Sequence, residues 1–148
     1  MFRGSSYHTI DNKGRIIIPA RFRDLIRADG KNAIMVSRMD HCLVGYPLDE
    51  WSKIEKRILS LAEKSQSMRR FRRVFIGGAH ECNCDKQDRI LIPPPLREYA
   101  NLEKEIVLVG VLDHFELWSR NSWEQEKQEL EKDLQKEEVR NEVAALGL

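Results

Sequence analysis

Three cysteines, Cys42, Cys82 and Cys84, are all that the 148 residues contain. An odd number leaves one thiol over, which argues against an exported disulfide framework and for a reducing compartment. Long apolar runs are also missing. No stretch approaches the roughly 20 residues that a membrane-spanning helix needs, and residues 1–27 carry charge every few positions, unlike a signal peptide. The chain has no phosphate-cradling glycine loop and no nucleophile beside a base. Cys82-Asn83-Cys84 falls short of the Cys-x-x-Cys spacing and second ligand pair of a zinc site, and reads instead as two small buried apolar residues on one strand face. These absences predict a cytoplasmic, non-membrane protein that is not an enzyme, with no catalytic residue, metal, cofactor or small-molecule substrate.

What is present is charge, and it is unevenly placed. Charged residues make up 33% and hydrophobic ones 41%, compatible with a packed core under a solvated surface. The net charge of +1 conceals two unlike halves. Residues 1–80 hold 16 Lys/Arg against 8 Asp/Glu, whereas residues 81–148 hold 9 against 16. A basic half joined to an acidic half predicts a side that faces a polyanion and a side that avoids it.

The chain also repeats itself. Residues 11–26 read DNKGRIIIPARFRDLI and residues 85–100 read DKQDRILIPPPLREYA. At an offset of 74, Asp11 meets Asp85, Arg15 meets Arg89, Pro19 meets Pro93 and Arg23 meets Arg97. Residues 33–36 parallel 107–110; Asp40-His41 parallels Asp113-His114 at an offset of 73, and Trp51 parallels Trp123 at 72. Such ordered agreement marks a tandem duplication.

Each copy predicts the same elements. A polar turn leads into a β-branched run ending at a proline, then a short helix over 20–28. Strands over 33–37 and 42–46 follow, joined by a turn at Asp40, and an amphipathic helix runs from Leu48 to Lys64 with Trp51, Ile54, Ile58 and Leu61 as its buried stripe. A basic segment, Met68-Arg69-Arg70-Phe71-Arg72-Arg73, precedes a strand at 74–76 and is expected to pair with the acidic C-terminal helix. The second copy predicts strands near 89–92, 106–111 and 115–118 and a helix from Ser122. His41 and His114 read as turn or packing residues. The expected organisation is a first repeat with its helix over 1–66, a basic linker and strand over 67–80, and a second repeat over 81–148. Short strands expose edges, so the two copies are expected to pair and close into a barrel.

Several motifs resemble the MraZ family, itself similar to the AbrB-type DNA-binding fold. They are Met1-Phe2-Arg3-Gly4, the two Asp-x-x-x-Arg turns, residues 18–23 (IPARFR), residues 43–47 (LVGYP), Gly78-Ala79, Leu108-Val109-Gly110 and residues 115–118 (FELW). The resemblance covers the chain to about Trp123. It implies an α+β, mainly β, fold: an intramolecular tandem-repeat swapped-hairpin β-barrel, AbrB-like, with flanking amphipathic helices. It further implies ring-shaped homo-oligomers that are nucleoid-associated. It implies a regulator of transcription that binds double-stranded DNA at direct repeats, upstream of the division and cell-wall gene cluster encoding it.

The candidate DNA-binding residues are Arg15, Lys13, Arg3, Arg21, Gly14, Arg23 and Arg89. Arg15 is assigned to a base edge, because a guanidinium can donate two hydrogen bonds to guanine. Lys13, Arg3 and Arg21 are assigned to phosphates, and Gly14 to a close-approaching backbone. Asp11 forms the turn or steadies Arg15. In the second copy Asp88 replaces Gly14, Gln87 replaces Lys13 and Pro95 replaces Arg21. A carboxylate beside Arg89 is expected to hold it in an internal pair, so that copy one dominates the reading. Two other functions stay open: an AbrB-fold antitoxin-like protein, and an oligomeric nucleic-acid-binding scaffold without sequence preference.

Overall fold

The computed structural model describes residues 1–61 and 65–148. Its strands are β1 (Ser5–Thr9), β2 (Arg15–Ile17), β3 (Ala33–Met39), β4 (Cys42–Pro47), β5 (His80–Asn83), β6 (Arg89–Leu91), β7 (Glu105–Gly110) and β8 (Phe115–Ser119). Its helices are α1 (Ala20–Ile26), α2 (Leu48–Ser60), α3 (Gln66–Gly77), α4 (Pro94–Tyr99), α5 (Arg120–Asp133) and α6 (Glu137–Ala144), with a 3-10 turn at Arg27–Asp29.

Six strands form one antiparallel sheet in the order β1-β7-β8-β4-β3-β5, and β2 pairs with β6 in a separate ribbon. Reading that order backwards exchanges β1 with β5, β3 with β7 and β4 with β8, so the sheet has a pseudo-two-fold. The first strand of each repeat lies against the third strand of the other. Neither half could form this sheet alone.

The axis can be located from the registers. Val44 pairs with Glu116 at the centre of β4–β8, and Ile16 pairs with Ile90 at the centre of β2–β6. In β3 and β7 the registers make Ile34 equivalent to Ile106 and Leu43 equivalent to Phe115, an offset of 72. The expected match of residues 33–36 to 107–110 is therefore shifted by two. Asp40, at φ 53°, corresponds to Leu112, at φ 67°, rather than to Asp113. From the proline before the short helix to the start of the next strand, the second repeat is two residues shorter (Pro93 to Glu105 against Pro19 to Ala33), and the slip occurs in that span.

The six-stranded sheet has two edges, β1 and β5, so the expected closed barrel does not form among the described residues. The cause is the length of β2 and β6, three residues each, which hydrogen-bond to one another instead of to the sheet edges. The ribbon lies across one sheet face with α1 and α4. Their shared core includes Phe2, Phe22 and Phe115, whose rings are 5.1–5.6 Å apart, with Ile16, Ile18, Ile90, Ile92 and Leu108. Each such aliphatic contributes about 1.5–3 kcal/mol on burial. Cys82 and Cys84 sit in this core, as alternation along a strand predicts.

The opposite sheet face carries the longer helices. Val44, Trp51 and Phe75 pack together under α2 and α3, while Cys42, Val107, Val109 and Trp118 pack near Trp123 of α5. The strand expected at 74–76 is part of helix α3. Ser65 caps this helix by accepting from the Met68 N–H at 3.0 Å, and Phe71 stacks on Phe75 one turn later at 5.0 Å. Phe75 in turn stacks on Trp51 at 5.2 Å. The helical period of those aromatics outweighs the short apolar run. Helix α2 ends at Ser60, and its expected extension over 62–64 lies outside the described residues. Leu61, expected on its buried stripe, is 59% exposed.

His41 sits in the left-handed turn between β3 and β4, at φ 65°. His114 stacks on Tyr46 at 4.6 Å. No helix among the described residues is long and apolar enough to cross a membrane.

Candidate nucleic-acid interface

The two Asp-x-x-x-Arg segments fold as the same turn. The Asp11 Oδ1 accepts from the backbone N–H groups of Lys13 (3.0 Å) and Arg15 (2.9 Å), and its Oδ2 accepts from Arg15 Nε at 2.7 Å. The Asp85 carboxylate does the same with the N–H groups of Gln87 (2.8 Å) and Arg89 (3.0 Å) and with Arg89 Nε (2.9 Å). The fourth residue of each turn is left-handed, Gly14 at φ 88° and Asp88 at φ 62°. Hydrogen bonds favour the charged carboxylate. The Arg15 N–H, with that residue's guanidinium, holds the Asp11 carboxyl down at about 2, and the Arg89 N–H lowers Asp85 for the same reason. Each arginine is thus aimed by a carboxylate that also builds its turn.

The ribbon then brings the two arginines together. Arg15 lies opposite Leu91 and Ile17 lies opposite Arg89. Residues directly opposite in an antiparallel pair share a face, and alternate residues point the other way. One face of the ribbon therefore shows Arg15, Ile17, Leu91 and Arg89, with Ile17 and Leu91 each 54% exposed, while Ile16 and Ile90 are buried beneath. Lys13 stands exposed on the first turn.

The other expected site residues fall elsewhere. Arg23 donates from Nη1 to the Ile18 carbonyl at 2.7 Å, and its Nε lies 3.5 Å from Asp88, so it ties α1 to the ribbon. Gly14 is buried, and a Cβ there would meet the Arg97 guanidinium at 2.7 Å. Arg97, the counterpart of Arg23, covers the site where backbone was expected to meet DNA. Arg21 donates to Ser6 Oγ at 3.4 Å and lies over the Phe22 ring at 4.7 Å. Its guanidinium also comes near Gly4, next to the exposed Arg3. Arg3 and Arg21 therefore form a flank beside β1, apart from the ribbon.

The expected Asp88–Arg89 pair is replaced by another. Asp88 binds Arg27 Nη2 at 2.9 Å and faces Arg23, both from the first repeat, leaving Arg89 to Asp85. Both arginines of the ribbon face are therefore braced in the same way, each by its own aspartate. The repeat alignment did mark Arg97 as the partner of Arg23, and strand alternation marks Ile17 and Leu91 as outward; Arg27 left no such signal.

Among the described residues, no group of three or more His, Cys, Asp or Glu could hold a metal ion. Burial pushes the Cys82 thiol up to about 12 and raises those of Cys42 and Cys84 as well, which suits apolar packing.

The family described as "MraZ protein, putative antitoxin-like" matches the chain twice, over residues 1–74 and 75–143. A "Transcriptional regulator MraZ" from Desulforapulum autotrophicum is 62% identical over all 148 residues of both chains. One of the same name from Desulfosudis oleivorans is 57% identical, again over the full length of both. Another from Shewanella violacea is 48% identical over 140 residues, 93% of this chain and 92% of the relative.

Proposed function

The chain belongs to the MraZ family, and from that premise we propose that it is a sequence-specific DNA-binding transcriptional regulator that reads DNA with the β2–β6 ribbon. The observation that carries the reading is the register that sets Arg15 and Arg89 on one exposed face, each braced by its own aspartate. A two-stranded ribbon fits the major groove, where a guanidinium can meet guanine O6 and N7 and an aliphatic can meet a thymine methyl. Arg15 and Arg89 take the guanine role, and Ile17 and Leu91 the methyl role. Lys13, and Arg3 with Arg21 on the flank, neutralise phosphates.

The exchange of strands between repeats supports an AbrB-like swapped arrangement, here within one chain. The relatives named as transcriptional regulators support a promoter as the target. A ring of such protomers, associated with the nucleoid, would offer this face to several direct repeats at once and multiply weak contacts through effective concentration.

Fluorescence anisotropy at near-physiological salt tests the reading, with DNA from upstream of the chain's own gene against a scrambled duplex. A preference of at least ~10³-fold is expected, and Arg15→Ala should remove most of it. Equal affinity for both duplexes, falling steeply with salt, would make the protein a nonspecific binder and sink the proposal.

A further inference from the structure

Each end of the ribbon is built by both repeats. At one end the Ile92 N–H donates to the Gly14 carbonyl at 2.9 Å, and helix α4, which follows Ile92, lies beside the first turn. At the other end the Ile18 N–H donates to the Asp88 carbonyl at 2.9 Å, and α1 lies beside the second turn. The pseudo-two-fold therefore makes Arg97 of α4 and Arg23 of α1 equivalent, each set against the other repeat's turn.

The two arginines are used differently. Arg23 donates to the Ile18 carbonyl and faces Asp88, and Asp88 also binds Arg27, so the charge at that end is taken up inside the protein. At the first end glycine stands where the second has Asp88. The Arg97 guanidinium fills the space that a Cβ on Gly14 would take, 2.7 Å from its position. Among the described residues no ion pair or side-chain hydrogen bond holds Arg97, and its Nε is buried without a partner. Exposed Lys13 adjoins Gly14, at the position of Gln87 in the second turn.

A shielded arginine with a purely structural role spends its N–H groups on protein acceptors, as Arg23 does, because unused donors weaken a fold. Arg97 spends none. Packing on Gly14 fixes its fork at the end of a DNA-facing ribbon, one residue from a second unneutralised cation. A guanidinium fork matches two phosphate oxygens, and a lysine adds a point charge. We infer that Lys13 and Arg97, one from each repeat, form a composite site for a single backbone phosphate at the first-turn end of the ribbon, and that Asp88 closes the equivalent site at the other end. The site rests on the reading of β2 and β6 as the DNA-facing ribbon. It makes the two ends unequal toward phosphate although Arg15 and Arg89 are placed alike between them.

The test is anisotropy with the full chain on short operator and scrambled duplexes over a range of salt, with folding checked by circular dichroism. Phosphate contacts carry no sequence information, so Arg97→Gln should lower affinity for both duplexes by the same factor. Adding Lys13→Gln should bring the total flattening of the plot of log affinity against log salt to about 0.9 per bound protomer, the release of one phosphate. The same loss of charge at Arg140 of α6 should leave affinity and slope as they are. In the wild-type chain, the Arg97 Nε–H resonance should shift when either duplex is added, and this readout decides the matter if Arg97→Gln does not fold. An Arg97→Gln chain that binds as tightly as wild type, a stationary Arg97 resonance, an Arg140→Gln effect of equal size, or a double variant that loses about twice that slope each overturns the proposal. Operator preference that survives beside an unaffected Arg97→Gln chain defeats the phosphate site alone. Equal wild-type affinity for both duplexes, still weakened by Arg97→Gln, defeats the sequence reading and leaves the site standing.

Discussion

The two repeats are alike where they pack and unlike where they meet solvent. Ile16 and Ile90 face each other across the axis, equally buried, and each Asp-x-x-x-Arg turn makes the same three hydrogen bonds. The fourth turn position differs. Gly14 lies under the Arg97 guanidinium, whereas Asp88 neutralises Arg27 and faces Arg23. Duplication conserved what a two-fold core demands of both halves. The charge at the surface was free to diverge, leaving Lys13 on one turn and Gln87 on the other. The two arginines are placed symmetrically; the charge around the turns is not symmetric.

The two halves of the core should respond alike to truncation. Ile16→Ala and Ile90→Ala should each cost about 2–5 kcal/mol, the range for a buried aliphatic whose cavity cannot collapse. If the axis is as described, chemical denaturation will give the two variants closely similar losses. A difference of more than about half of either value would show that the halves are not equivalent inside.

On the ribbon face the two arginines should contribute alike to binding. Arg15→Ala and Arg89→Ala should each remove about 1–3 kcal/mol of discrimination between operator and scrambled DNA, the value of one bidentate guanine contact. Similar losses would confirm two matched readers. If Arg89→Ala binds like wild type while Arg15→Ala fails, one repeat reads alone.

A smaller change is expected at the divergent turn position. Asp88→Gly keeps the left-handed backbone, which glycine adopts without strain, and releases Arg27 and Arg23 from their carboxylate. Nonspecific DNA affinity should rise, and the plot of log affinity against log salt should steepen by about 0.9 for each phosphate newly neutralised. An unchanged slope would mean that those arginines lie out of reach of the duplex.

Much of this was legible in residue order. The duplicated Asp-x-x-x-Arg and Ile-Pro segments gave the turns, the ribbon strands and the short helices that follow, because those depend on local chemistry. Helix α3 was not legible as such. Its Val74-Phe75-Ile76 run reads as a strand until Phe71 and Trp51 are seen to stack on Phe75. The open sheet was hidden too, since strand order depends on long-range pairing that no local pattern records. Among the candidate site residues, Lys13 carried its exposed placement, and Arg15 its bracing by Asp11, in the turn motif. Arg23 and Gly14 did not, because their partners, Asp88 and Arg97, lie more than sixty positions away.

The smallest effect is a pH dependence that should be nearly shared by the two turns. Asp11 titrates at about 2, below its ordinary value of 3.8, and Asp85 is lowered as well. A carboxylate whose folded value is depressed adds stability above its unfolded value, and that contribution disappears as pH falls through the folded one. For Asp11 the window therefore runs from about 4 down to about 2. Both side chains are solvent-exposed, so the contribution is small, and the more sensitive readout is the pair itself. In a carboxylate-detected NMR titration, the signals of Asp11 and Asp85 should move only at the acid end. The Arg15 and Arg89 Nε–H resonances should shift with them, since each donates to the carboxylate being protonated. If the Arg15 signal moves with Asp11 while Arg89 is indifferent to Asp85, only the first turn aims its arginine in solution, and the symmetry of the readers is lost even though the symmetry of the core survives.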